Sequence, residues 1–159
     1  MQACDEEHMG LLAFEQGSDG EKGMVLACGD RKNNNPLVKH PFEPSYVHMD
    51  GQEVYKFAVN TVPVSIKRVM DLAGFVTKDV KYFVLHQANV RIIQAVAKRL
   101  GADMDRFPLS LDHYGNISAA SIPILLDEMN RKGMLKRGDQ IVMSGFGAGL
   151  TWASAAIRW

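Results

Sequence analysis

The sequence predicts a layered α/β domain with a mixed sheet, and three observations carry that expectation. Helical and extended patterns alternate along most of the chain. The run Tyr82-Phe83-Val84-Leu85 is apolar without a break, as in a strand covered on both faces. It leads straight into His86-Gln87-Ala88-Asn89 and then a helical repeat, the strand, turn and helix order of an α/β layer.

Taken in order, residues 1–4 read as the end of a strand and Asp5-Glu6-Glu7-His8 as a turn. Met9 to Glu15 reads as a strand, which Gly17-Ser18-Asp19-Gly20 breaks. Residues 21–48 hold Pro36, Pro41, Pro44 and Asn33-Asn34-Asn35 and are predicted to be an irregular excursion. Within it, Met24-Val25-Leu26-Ala27 is a short strand candidate. From Gly51 to Ala73, Val54, Phe57, Ala58, Thr61, Val62, Ile66, Val69 and Met70 recur at helical spacing. Pro63 predicts a kink or a lost hydrogen bond there, and Gly74 the end.

A strand over 81–86 and a helix over 89–100 follow. Asn89 is the expected cap, Ile92, Ile93, Val96, Ala97 and Leu100 form one face, and Gly101 ends the helix. Phe107 to Leu111 is a short strand candidate, and Asp112-His113-Tyr114-Gly115-Asn116 is turn chemistry. Ser118 is the expected cap of a helix carrying Ala119, Ile122, Leu125, Leu126 and Met129, with Pro123 in its second turn. Gln140 to Ser144 and Leu150 to Trp159 read as strands joined by Gly145-Phe146-Gly147-Ala148-Gly149.

A chain of 159 residues with 47% hydrophobic and 23% charged residues suits one domain with a real core. Lys plus Arg and Asp plus Glu are 18 each, so overall charge points to neither nucleic acid nor a membrane surface. No apolar run approaches the ~20 residues that span a bilayer. The first residues lack the basic start and apolar core of a signal peptide, and Cys4 and Cys28 form no CxxC. These features predict a cytoplasmic protein with reduced thiols. Gln2-Ala3-Cys4 resembles the tail of a strand already under way, so the chain is expected to be part of something longer.

Chemistry is expected where polar residues follow strand ends. His86, Asn116 and the glycine-rich turn 145–149 each lie at such an end. Singly, each has an ordinary structural explanation: a hydrogen-bonded histidine, a turn asparagine, a turn that needs glycine. The glycines are followed by a strand, not a helix, so they are no dinucleotide fingerprint. Together, on neighbouring parallel strands, they would bring an imidazole N–H and an amide N–H to one rim. Two neutral donors at one point suit a carbonyl oxygen that gains negative charge.

His-Gln-Ala-Asn-Val-Arg-Ile-Ile (86–93), Tyr-Gly-Asn-Ile-Ser-Ala-Ala-Ser-Ile-Pro (114–123) and Gly-Phe-Gly-Ala-Gly-Leu-Thr-Trp (145–152) resemble the C-terminal half of β-ketoacyl-[acyl-carrier-protein] synthase III, of the thiolase superfamily. Met49-Asp50-Gly51-Gln52-Glu53-Val54-Tyr55-Lys56-Phe57 resembles the segment ahead of that family's long helix. The resemblance runs from about Tyr46 to the end and is weaker over residues 1–20. It implies a thiolase-like layered half, one of two similar halves of the full enzyme, with residues 1–159 as the C-terminal domain. It implies an acyltransferase that condenses acetyl-CoA with malonyl-acyl carrier protein, giving acetoacetyl-acyl carrier protein and CO2 at the start of fatty acid biosynthesis.

By the same resemblance, His86 and Asn116 are catalytic and stabilise the malonyl thioester oxygen as the enolate forms. Asn89 contacts the pantetheine arm, and Phe146 and Gly147 shape the wall near the nucleophile. Arg91, Lys98 and Arg99 meet an acidic acyl carrier protein, although a solvated helix face explains them equally well. No metal and no cofactor is implied; coenzyme A and carrier-protein thioesters are substrates. The family's nucleophilic cysteine starts a buried helix, and neither Cys4 nor Cys28 stands in such a setting. The N-terminal half that bears it is therefore expected to be absent, and this chain alone to be inactive in condensation. An exposed apolar face is expected to seek the missing half or a second copy, in a homodimer. Two alternatives stay open: a non-catalytic module that binds carrier protein or pantetheine, and another thiolase-fold enzyme acting on coenzyme A thioesters.

Overall fold

The computed structural model describes residue 6, residues 8–29, residue 37 and residues 46–159. The expected strand end at 1–4 lies outside the described residues, as does most of the stretch 30–45. In chain order the elements are β1 (Gly10–Ser18), β2 (Leu26–Cys28), β3 (Val47–Met49), α1 (Gly51–Ala73), β4 (Tyr82–Leu85), α2 (Val90–Leu100), the single turn α3 (Leu111–Tyr114), α4 (Ser121–Arg131), β5 (Gln140–Gly147) and β6 (Thr151–Arg158). A 3-10 segment, Gly20–Val25, follows β1, and two more 3-10 turns flank α3, Met104–Arg106 and Ser118–Ala120.

Four strands form a mixed sheet in the order β1-β6-β5-β4. β1 and β5 both run antiparallel to β6, whereas β4 runs parallel to β5. The apolar run of β4 is buried on both faces, as its lack of alternation predicts. Phe83 and Leu85 join Val142 of β5 and Ala156 of β6 in one cluster beneath α1 and α2. Val84 and Ile141 face the other way and pack on Leu125 and Met129 of α4 and on Leu135. Phe83 also stacks on Phe107, with ring centroids 4.9 Å apart and planes at 12°. Among the described residues no helix is long and apolar enough to cross a membrane.

Helix ends follow the sequence closely. The Asp50 carboxylate accepts from Gln52 N at 3.0 Å and Glu53 N at 3.1 Å, capping α1. Gly74 ends it in the left-handed region at φ 69°. α1 runs through Pro63 as one helix, so the expected disturbance is confined to the bond that proline cannot donate. Its packing against β1, β5, β6 and α2 holds the axis across that gap.

Five expectations need correction. Residues 145–149 are not all turn: Gly145, Phe146 and Gly147 continue β5, paired with Ala153, Trp152 and Thr151 of β6, and the chain turns at 148–150. Residues 107–111 form no strand: Phe107 to Ser110 is irregular and Leu111 opens α3. The Ser110 N–H bonds to the Gln87 side chain instead of a neighbouring strand. Ser118 caps no helix; it sits in a 3-10 turn at φ 53°, and α4 starts at Ser121. Gly17 does not break β1, which continues to Ser18. Glycine is required there because the Trp152 indole lies over it, where any Cβ would overlap the ring. Lastly, Val47–Met49 is a strand that the sequence reading left in irregular chain, paired with β2.

Behind the sheet lies a polar seam. Ser154 sits in register between Glu15 of β1 and Ser144 of β5. Ser65 of α1 donates to Glu15, and its Oγ lies 2.7 Å from that of Ser154. The Ser154 hydroxyl donates to Ser144 Oγ at 2.8 Å, and Ser144 donates to the Ala153 carbonyl at 3.2 Å. All three serines are buried.

Core burial sets a contrast that denaturation can read. Phe83→Ala removes a fully buried ring and is expected to lower unfolding free energy by about 3–5 kcal/mol. Leu72→Ala, at a position 67% exposed, should change it by no more than about 0.5 kcal/mol. Urea denaturation of both variants checks the assignment, and equal effects would contradict it.

Candidate active site

Because β4 and β5 are parallel, their carboxyl ends reach the same rim. Leu85 pairs with Ser144, and the His86 N–H donates to the Ser144 carbonyl at 2.9 Å, so the ladder carries His86 one step beyond the strand. Phe146, at the end of β5, meets the His86 ring edge to face, with centroids 5.6 Å apart and planes at 82°. Phe57 of α1 backs Phe146 at 6.3 Å and Trp152 at 5.8 Å, again edge to face. The imidazole is half-buried, and burial lowers its pKa below the ordinary 6.5 because the charged ring would lose hydration. His86 is thus neutral near neutral pH, with one ring nitrogen a donor and the other an acceptor.

Asn116 arrives by a different route. α3 ends at Gly115, whose φ of 65° and ψ of −159° are open to glycine and strained for other residues. The next residue, Asn116, accepts the Ser118 N–H on its Oδ1 at 3.0 Å. That bond settles which end of the amide is oxygen. It also leaves the amide nitrogen as the end with donors to offer.

His86 and Asn116 both line an open cavity of about 1260 Å³. Phe146 and Gly147 line it too, beside Ala88, Ser118, Ala119 and Ile122. The cavity opens onto the part of the sheet that α4 leaves uncovered. Two cross-strand rows floor it: Phe14, Ala155 and Met143, then Gln16, Ala153 and Gly145. Phe14 is 60% exposed there.

The remaining predicted residues lie apart from this cavity. Asn89 caps α2, its Oδ1 accepting the Arg91 N–H at 2.9 Å, and it is not part of the lining. Arg91, Lys98 and Arg99 are exposed on α2, outside the lining as well. Cys28 ends β2 and borders the cavity, but at a strand end and not at the start of a helix. Cys4 lies outside the described residues. Among the described residues no cluster of three or more His, Cys, Asp or Glu could hold a metal ion.

Sequence reading overlooked one buried group beside the site. Gln87 is 1% exposed. Its Nε2 donates to the Leu85 carbonyl at 2.9 Å and to the Pro108 carbonyl at 3.4 Å, and its Oε1 accepts the Ser110 N–H at 3.1 Å. The only signal available beforehand was an amide placed between a buried strand and a helix cap.

The chain resembles known proteins along most of its length. Residues 70–159 match the family described as 3-oxoacyl-[acyl-carrier-protein (ACP)] synthase III C terminal. The beta-ketoacyl-[acyl-carrier-protein] synthase III of Clostridium tetani is 41% identical over 98% of this chain and 49% of its own length. That of Clostridium novyi is 46% identical over 96% of this chain and 48% of its own. The crystal structure of 3-oxoacyl-(acyl carrier protein) synthase III from Pseudomonas aeruginosa PAO1 superposes with a TM-score of 0.88 at 40% identity, covering 99% of this chain and 47% of that one. The Thermus thermophilus enzyme gives 0.86 at 37% identity, over 97% and 47%. The chain therefore spans about half the length of the curated relatives it matches. A family match over residues 70–159, with relatives 41% and 46% identical across nearly the whole chain, makes this chain a member of the 3-oxoacyl-[acyl-carrier-protein] synthase III C-terminal family.

Proposed function

We propose that this chain supplies the decarboxylating side of a condensing active site, the C-terminal part of a 3-oxoacyl-[acyl-carrier-protein] synthase III. The whole enzyme would join an acetyl group from acetyl-CoA to malonyl-acyl carrier protein, releasing CO2. The observation that carries the reading is the pair of neutral donors, His86 and Asn116, in the lining of one cavity. The malonyl thioester oxygen would accept from the imidazole N–H and the Asn116 amide. As CO2 leaves, the electrons of the broken C–C bond pass into an enolate, and charge on that oxygen is held by the two donors. The enolate carbon then attacks the acyl thioester on a cysteine, whose thiolate departs as the new C–C bond closes. A cationic histidine would bind the malonyl carboxylate as readily as the enolate; a neutral one favours the oxygen where charge develops.

On this reading neither Cys28 nor Cys4 carries the acyl group, and this chain by itself does not complete a condensation. Asn89 would border the pantetheine arm beside Ala88, and Arg91, Lys98 and Arg99 would meet carboxylates and phosphate of the acyl carrier protein. No metal or cofactor is required, since a carbonyl oxygen already serves as the electron sink. The uncovered rows of β1, β6 and β5 would seat the other half of the enzyme, or a second copy of this chain where that half is absent. We assign the setting to the cytoplasm, where coenzyme A and carrier-protein thioesters are made and used.

Three outcomes are expected. In the assembled enzyme, His86→Ala and Asn116→Ala each slow CO2 release from malonyl thioester about 10²–10³-fold. Unchanged rates in either variant would sink the reading. Intact-mass spectrometry of this chain after exposure to acetyl-CoA should show no acetyl adduct. A stoichiometric, hydroxylamine-labile adduct on Cys4 or Cys28 would mean that the nucleophile lies within this chain. The third outcome concerns pH. Unfolded His86 takes up its proton near the ordinary 6.5, whereas the folded form does so only at lower pH. Between those values the unfolded state binds more protons, so stability rises with pH through that window and levels off above it. Urea melts should show this slope in the parent chain and a shallower one in His86→Asn; identical slopes would argue against a buried neutral imidazole.

A further inference from the structure

The proposed chemistry leaves Gln87 without a task, although its side-chain amide is buried beside the rim and fully hydrogen-bonded to backbone. Its three bonds have a pattern. In a parallel ladder, one residue donates to a carbonyl of the adjacent strand and accepts from the N–H two residues further on. The Gln87 amide donates to the Pro108 carbonyl and accepts from the Ser110 N–H, which is that pattern centred on Leu109. Its third bond, to the carbonyl of Leu85 at the end of β4, fixes the direction of the side chain. A flipped amide would set its oxygen against two carbonyls, so the donor and acceptor ends are unambiguous.

Ser110 passes the connection on. It is 1% exposed, and its carbonyl accepts from His113 N at 3.1 Å and Tyr114 N at 3.0 Å, which closes the α3 turn. Gly115 N then donates to the Leu111 carbonyl at 2.9 Å, and Asn116 follows directly. Hydrogen bonds at Ser110 and Leu111, joined by the chain of the α3 turn, thus connect the residue after His86 to the residue before Asn116.

We infer that Gln87 is a positioning residue: its side-chain amide stands in for a strand partner of residues 108–110 and so sets the spacing between His86 and Asn116. This rests on the reading that those two groups act on one oxygen. A shift of an ångström between such donors is enough to cost a large part of their effect.

The test is NMR of the isotope-labelled chain, without substrate. In the parent chain the Gln87 side-chain N–H protons should exchange at least about tenfold more slowly than those of exposed Gln52. Equal exchange overturns the inference without any variant having to fold. In Gln87→Met, which keeps the volume and removes the amide, Ser110 N–H exchange should quicken about tenfold or more and the Asn116 side-chain signals should move. The Trp152 indole signal, from a ring bonded to Glu15 across the sheet, should stay in place. A purely stabilising role would lower the melting temperature and leave the Asn116 signals where they were, which also overturns the inference. These signals are read without thioester chemistry, so a failure to decarboxylate malonyl thioester would unseat the functional reading separately.

Discussion

Two strands that run the same way must end on the same side of their sheet, and β4 with β5 is the parallel pair among the described residues. Everything at the rim follows from that pairing. It sets His86 beside Gly145 and Phe146; an antiparallel β4 would have carried the imidazole to the opposite end of the sheet. The pairing is in turn a product of burial. β4 and β5 alternate their apolar side chains between two clusters, so both faces of the pair lose water contact and their backbone groups must find each other.

Register needs a further constraint, and the hydroxyl seam supplies one. Ser154 meets Glu15 on one side and Ser144 on the other, with Ser65 reaching down from α1. A slip of one residue in β6 would swing Ser154 to the cavity face and bring an alanine into its place, stranding two buried hydroxyls. The seam lies directly behind Ser144, whose carbonyl holds the His86 backbone. Polar groups that contribute little net free energy can thus define where the imidazole stands.

The parts of this fold that sequence reveals are those where a single local cause acts. Helical spacing marks α1 and α2, glycine marks their ends at Gly74 and Gly101, and an apolar run marks β4. His86 and Asn116 stand out because each is polar beside a stretch that has to be buried. The rest depends on partners far along the chain. Phe107, Leu109 and Leu111 alternate like a strand, yet the neighbour they would pair with is a side chain. Gly17 resembles a breaker because nothing near it announces Trp152. Ser65, Ser144 and Ser154 read as ordinary small polar residues until the sheet lines them up.

The Gln87 clamp has a consequence for how this protein tolerates mutation. A backbone ladder is indifferent to side-chain identity: most substitutions leave its N–H and C=O groups in place. Here one junction of the ladder has been delegated to a side chain, so a single codon controls it. The edge of the sheet nearest Asn116 is therefore fragile to exchange at position 87 while Leu109, the residue being clamped, is 42% exposed and free to vary. In a lineage of such chains, drift should accumulate on the clamped residue and stall on the clamp.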